Sequence, residues 1–248
     1  MVRLSWVDHT GVETSLYPLK GDVYLQGDTL EGFTGVWSDN PTQVIGEEGA
    51  RVDPRNRVIE PMTGALTLAI RSRDAYRKVR RMFSESKPGW LVLDRWRLCC
   101  RLAEGLPAPG VIPQRGATVR VSLIGDAGVW VQRFSSTGNV TVTNHGDVPV
   151  WPRIMWKGAG GPVVMPSGAS FILPAVSENR VVDLRRSAGG RVTIPDTGVV
   201  DRPLSKQTLV ISEMVPPGLR ARFTVPVGAT LSYEVGVLDV FAEVDSWI

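Results

Sequence analysis

The chain holds only two cysteines and two histidines in 248 residues. Both scarcities close off chemistry. Cys99 and Cys100 are adjacent, and adjacent cysteines bridge each other only under strain. No disulfide framework is available, so folding in a reducing cytoplasm is expected. His9 precedes Thr10-Gly11 and His145 lies between Asn144 and Gly146, so both occupy turn signals. Neither has a partner at metal-ligand spacing, and no metal site is expected. A Ser-His-Asp machine needs a buried histidine between nucleophile and carboxylate, which a solvated turn does not supply. Long apolar runs are missing too. No stretch nears the roughly 18 apolar residues of a membrane span, so no membrane partner is expected. MVRLSWVDHT has no apolar run after its first charge, so no signal peptide is expected either.

A strong charge of one sign is also lacking. The net charge is +3, and its excess lies in residues 1–134, mostly between Arg71 and Arg101. A nucleic-acid binder usually carries more bias. Internal repeats and low-complexity tracts are absent. What is present is a globular composition, 43% apolar and 21% charged. That suits one large β domain or two smaller ones. The 26 Gly and 18 Pro are scattered, as short strands and turns require. The 8 Trp outnumber 6 Phe and 4 Tyr, a pattern of β cores and interfaces.

Along the chain, Arg3–Val7, Glu13–Tyr17 and Val23–Leu25 read as strands between glycine turns. Residues 42–60 are polar, charged and proline-marked, and read as a long excursion rather than a packed hairpin. It carries Glu47, Glu48, Arg51, Asp53, Arg55 and Arg57. Charges of both signs suit an arm on a neighbouring subunit; a mobile loop is the plainer reading. Residues 64–71 alternate as a strand. Ser72 is a helix N-cap, Asp74 lies in the first turn, and residues 73–85 are the one convincing helix. Tyr76, Val79 and Phe83 form its apolar stripe, with Arg77, Arg80 and Arg81 on the other face.

Residues 90–102 read as a hairpin around Asp94-Arg95. Trp96, Leu98, Cys100 and Leu102 point one way, and Arg95, Arg97, Cys99 and Arg101 the other. The basic set on helix and hairpin is either two solvated faces or an electrostatic patch for an acidic neighbour in an assembly. Arg97 and Arg101 would lower the Cys99 thiol pKa. The plainer reading, one buried strand cysteine beside one partly exposed, is preferred. Residues 105–116 read as a loop and 117–134 as strands. Ser135 to Gly138 marks a boundary between domains 1–134 and 135–248. Beyond it nearly all is β, including 207–213 and 229–243. Asp183, Asp196, Asp201, Glu213 and Glu234 could in principle pair for glycoside hydrolysis. Single acids near strand ends are the norm in β domains, however, and no enzyme is expected. Nothing calls for a cofactor.

The stretch Asn139 to Pro174 is the most distinctive. Gly138, Val140, Val142, Asn144, Gly146, Asp147, Pro149, Trp151-Pro152 and Ile154 lead into Gly158, Gly168 to Phe171, and Arg180 to Asp183. This order resembles the second domain of the distal tail proteins of long-tailed bacteriophages, and the two-domain order is similar along nearly the whole chain. The resemblance implies a mainly β fold of two β-sandwich domains. The first would be tail-tube-like with one α-helix, the second galectin-like. It implies a homo-oligomer, a hexameric ring in the virion, joining the tail tube protein to tail-tip or baseplate proteins. DNA would pass through the ring without specific binding. The resemblance also implies that the charged excursion contacts a neighbouring subunit. A galectin-like fold brings an alternative, a carbohydrate-binding module with Trp151 and Trp156 as sugar contacts. Residues 196–217 depart from the pattern and read as an insertion.

Overall fold

Alternation of buried and exposed residues runs through most of the chain, and in the computed structural model it becomes antiparallel sheet. The structure describes residues 2–18, 21–27, 29–43, 45–46, 48–53, 56–106 and 117–243. The chain divides into two compact units, Met1–Trp130 with Val237–Ile248, and Val131–Gly236.

In the first unit, β1 (Leu4–Val7), β2 (Glu13–Tyr17), β3 (Val23–Leu25), β4 (Glu31–Gly32), β5 (Trp37–Ser38), β6 (Val58–Ile59) and β7 (Met62–Ile70) lead to α1 (Arg73–Met82). Then come β8 (Gly89–Leu93), β9 (Trp96–Leu102), β10 (Ala117–Gly125) and the first residue of β11 (Trp130–Thr137). β1 pairs with β2 and β8, and β8 with β9. β7 pairs with β3, β4 and β10. The last two residues of β9 cross to β10.

β9 shows the alternation most cleanly. Trp96, Leu98, Cys100 and Leu102 are buried, Arg97 is exposed, and Cys99 and Arg101 are half-buried. The hairpin is the one expected from sequence, with Leu93 opposite Trp96 across Asp94-Arg95. Asp94 takes the left-handed conformation at φ 52° that such a two-residue loop demands. Its carboxylate accepts a hydrogen bond from the Arg3 amide at 2.8 Å.

α1 is shorter than the expected 73–85. Ser72 caps it, accepting from the Ala75 amide at 3.1 Å. The chain turns extended at Phe83, because that ring is drawn away from the helix against Trp6, centroids 4.5 Å apart. The Trp6 indole N–H donates to the Met82 carbonyl at 3.0 Å, satisfying one orphan acceptor of the last turn. Register carries Trp6 to Leu91 and Leu91 to Leu98. Trp6 thus ties the C-terminal end of α1 to the buried side of β1.

Residues 42–60 are better ordered than an unpaired excursion. Trp37 pairs with Ile59 and Ser38 with Val58. Thr42 and Arg51 exchange backbone bonds of 2.9 and 3.0 Å. The result is a narrow antiparallel arm. The residues it contributes to the described part are almost all exposed.

The second unit is two facing sheets. It contains the rest of β11, then β12 (Asn139–Thr143), β13 (Arg153–Gly158), β14 (Gly161–Val164), β15 (Ser170–Leu173), β16 (Val176–Asp183) and β17 (Val192–Thr193). α2 (Arg202–Thr208), β18 (Arg220–Thr224) and β19 (Ala229–Val237) complete it. One sheet runs β17-β16-β13-β19-β11, the other β12-β18-β14-β15. Val142, Val163 and Phe223 from one meet Ile154, Trp156, Val182 and Leu231 from the other in the core.

Two sequence expectations change here. Ser135, Ser136 and Thr137 belong to β11 and are strand, not linker; their polarity reflects an exposed strand end. The contact division lies just before them, and residues 237–243 group with the first unit. The expected strand over 207–213 is α2 and an irregular stretch. Asp201 caps α2, accepting from the Leu204 amide at 3.1 Å, and Pro203 sits in its first turn.

Candidate functional site

Where no catalytic constellation is expected, the chemistry to follow is what each predicted residue leaves exposed. On the arm, Glu48, Arg51, Asp53 and Arg57 are exposed, and Glu47 and Arg55 lie outside the described residues. Arg57 pairs with Asp39, and the Asn40 amide donates to the Asn56 carbonyl at 2.9 Å. These polar links stiffen the base of the arm. Several of its described apolar side chains stay exposed. Val36, Val52 and Val58 are 57%, 40% and 52% exposed, and Ile45 is fully exposed at 104%.

The basic residues do not form one patch. Arg77, Arg80 and Arg81 lie on α1. Arg97 and Arg101 alternate with the buried residues of β9, and Arg95 lies in the turn. Arg77 pairs with Asp74 at 3.1 Å. Arg80 donates to the Tyr76 hydroxyl at 3.2 Å. Arg101 is bound by Asp126 through two bonds of 2.9 Å, which hold the Asp126 carboxyl below its ordinary range. Sequence reasoning passed over Lys78, which stands beside Arg81 on the helix; a charge run at helical spacing was the available signal.

The cysteines follow the plainer reading, Cys100 buried and Cys99 intermediate. The expected effect of Arg97 and Arg101 on Cys99 is overturned. Burial, and then the nearby Asp126 charge, push its thiol up instead, because Arg101 is already committed to Asp126. Burial pushes Cys100 from 9.0 up to about 12. Maleimide is expected to label Cys99 slowly near pH 7 and to leave Cys100 untouched until the chain unfolds. A folded-state pKa above the unfolded value stabilises fully below pH 9, where both states keep the proton. That contribution is lost as pH rises from 9 towards about 12, where only the unfolded thiol ionises. Thermal midpoints of wild type and Cys100→Ser, compared from pH 8 to 11, are expected to converge as pH rises.

Four of the five candidate acids are engaged in structural bonds. Asp183 accepts from Arg153 at 2.9 Å and Asp201 from Arg180 at 3.1 Å. Glu213 accepts from the Ser167 amide and hydroxyl at 3.0 and 2.9 Å. Glu234 pairs with Arg133 at 3.3 Å. Asp196 is exposed. Among the described residues no group of three His, Cys, Asp or Glu is placed to hold a metal ion. Trp156 is 1% exposed, and its indole N–H donates to the Pro174 carbonyl at 2.9 Å. It is a core residue and offers no face to a sugar. Trp151 is half-buried and precedes the strand.

The motif around Asn144 has a structural explanation. Asn144 is 1% exposed, yet every polar group of its side chain is used. Its amide donates to the Val148 and Val215 carbonyls, each at 2.9 Å, and its carbonyl accepts from the Gly146 amide at 3.0 Å. The Asp147 amide donates to Gly236 at 2.8 Å. A Cβ on Gly146 would meet the Gly236 oxygen at 2.2 Å, so only glycine fits. The pattern of Asn144, Gly146 and Asp147 is thus a folding device that ties three chain segments together.

No family model and no curated protein matches the chain. Solved structures do. The Dit protein of phage SPP1, described as a paradigm of the hub adsorption apparatus in phages infecting Gram-positive bacteria, aligns with TM-score 0.62 at 9% identity. The alignment covers 95% of this chain and 99% of that one. A chain of the phage P2 baseplate in its activated conformation with Ca aligns with TM-score 0.56 at 8% identity, covering 95% and 98%. The same baseplate with Sr gives 0.54 at 8%, covering 94% and 98%. With so little identity left, what is shared is the mainly β architecture itself: this chain has the fold of the phage distal tail hub proteins along nearly its whole length.

Proposed function

We propose that this protein is a structural hub of a phage tail tip, a non-enzymatic virion component made in the host cytoplasm. Copies of the chain, six in the family it resembles, close into a ring that joins the tail tube to the tip or baseplate proteins. DNA passes through the ring without specific binding. The observation that carries this reading is the fold match over 95% of the chain to the SPP1 hub protein. The arm supports it: Ile45, Val52 and Val58 are exposed on a segment too thin to bury them itself. An arm of this kind becomes stable by packing on a neighbouring subunit, and head-to-tail contacts of one chain with the next close into rings. The acids engaged in ion pairs and caps, and the inaccessible thiol of Cys100, support a non-catalytic role.

The test is mass by light scattering with negative-stain electron microscopy at high concentration, alone and with the cognate tail tube protein. A closed ring with a central hole is the expected result. A chain that stays monomeric in both conditions overturns the reading.

A further inference from the structure

Between α1 and the turn that joins β1 to β2 lies a cleft of about 380 Å³. Lys78 and Arg81 line its helix side, Asp8 and Val12 its turn side, and Thr14 and Met82 lie deepest. Thr14 and Met82 are 7% and 4% exposed. The two acids at the cleft are already committed. Asp74 is paired with Arg77 at 3.1 Å. Asp8 accepts from the Thr10 hydroxyl at 2.6 Å, and from the Thr10 and Val12 amides at 2.8 and 3.0 Å. Those bonds hold its carboxyl below the ordinary range and spend it on its own turn. Lys78 and Arg81, both exposed, have no acidic partner among the described residues. The cleft is therefore a seat with two cations, Lys78 and Arg81, free of acidic partners among the described residues, and an apolar wall of Val12 and Met82.

The same unit displays the complement of that seat. The Thr42–Arg51 bridge closes the tip of the arm. Within it Ile45 is 104% exposed, and Glu48 is exposed with no partner among the described residues. Two ladder pairs at the base, Trp37 with Ile59 and Ser38 with Val58, and the Thr42–Arg51 bridge hold the tip apart from the rest of the unit. An open Ile45 also means that the tip does not occupy the cleft of its own chain. Among the described residues, Ile45 and the Glu48 carboxylate stand at the tip, and Val12, Met82, Lys78 and Arg81 stand in the cleft.

We propose that the cleft between α1 and the β1–β2 turn receives the arm tip of a second copy of this chain. Ile45 packs on Val12 and Met82, and Glu48 lies between Lys78 and Arg81. The inference rests on the ring reading above and names the surface on which the arm lands. Two different patches meet, so the contact is head-to-tail and extends to a third copy. Its ionic half is exposed and weakens with salt.

The test uses a head-to-tail cyclised peptide of residues 42–51, fluorescently labelled, titrated with the full chain and read by anisotropy. Saturable binding is expected, weaker at high salt. Lys78→Glu with Arg81→Glu is expected to weaken it at least tenfold. A peptide with Glu47→Lys and Glu48→Lys is expected to lose wild-type binding and to bind the charge-reversed chain. Both reversed side chains are exposed, and an unchanged thermal midpoint checks that the variant is folded. Absence of binding up to millimolar chain, or binding indifferent to both reversals, overturns the proposal. A ring that forms in wild type and survives Lys78→Glu/Arg81→Glu also overturns this seat while leaving the ring reading intact. Charge-swapped peptide binding by a chain that never forms a ring supports the seat and removes the ring reading.

Discussion

Asn144→Ala is expected to destabilise the second unit by about 3–5 kcal/mol. The substitution deletes three hydrogen bonds at once and leaves the Val148 and Val215 carbonyls and the Gly146 amide without their partner. An unsatisfied buried polar group costs roughly 1–3 kcal/mol, and the three share one site from which water is excluded. For a unit of this size that is a fall of more than roughly 10 °C in Tm. Asn144→Asp is the informative control. It keeps the acceptor for Gly146, but a buried carboxylate would face two carbonyl oxygens where the amide donated, so it is expected to be at least as damaging. Thermal unfolding by circular dichroism checks both. A loss below about 1 kcal/mol for Asn144→Ala would mean that water can take the place of the amide, and that the motif is not the tie described.

The second large effect is expected in the first unit. Trp6→Ala should cost about 3–5 kcal/mol, the range for removing a large aromatic from a core. Trp6 is 1% exposed, packs against the tilted ring of Phe83, and holds the last turn of α1 through the Met82 carbonyl. Its surroundings are tight: a Cβ on Gly89 would stand 2.4 Å from its ring. The void cannot collapse easily, which keeps the cost high. Trp6→Phe separates the two contributions. It keeps most apolar area and loses the indole N–H, so about 1–2 kcal/mol is expected. If α1 depends on this anchor, Trp6→Ala also lowers helical ellipticity before global unfolding, and Trp6→Phe does not. Equal costs for both variants would show that the hydrogen bond, not the packing, holds the helix.

Both sites lie where local signal and tertiary structure agree, and that agreement tells which parts of the chain were legible. Glu13–Tyr17 and Val23–Leu25 read from sequence to the residue, and so did the Asp94-Arg95 hairpin with its buried Trp96, Leu98, Cys100 and Leu102. In each case period-2 alternation, turn chemistry and one buried face point the same way. Ser72 was legible for a similar reason: its side chain acts on an amide three residues away. α2 was missed, although Asp201-Arg202-Pro203 carries a cap and a first-turn proline, because an apolar stripe is lacking and only Thr208 is buried. The arm was read as unpaired because its ladder spans two residues at the base and a single bridge near the tip, too few for alternation to register.

The candidate site divides in the same way. Local sequence by itself determined a mainly β chain without disulfides, the β9 face that carries the arginines, the helix cap, and the turn at Asn144. Each depends on residues within a few positions of one another. Only the tertiary structure decided what those side chains meet. It gave Arg101 to Asp126 and so withdrew it from Cys99, and it buried Trp156 under the Pro174 carbonyl. It also brought the β1–β2 turn against Lys78 and Arg81, more than sixty residues apart in sequence. The physical reason is that charge pairing, burial and clefts depend on through-space distance, and in antiparallel sheets that distance is set by register between segments remote in the chain.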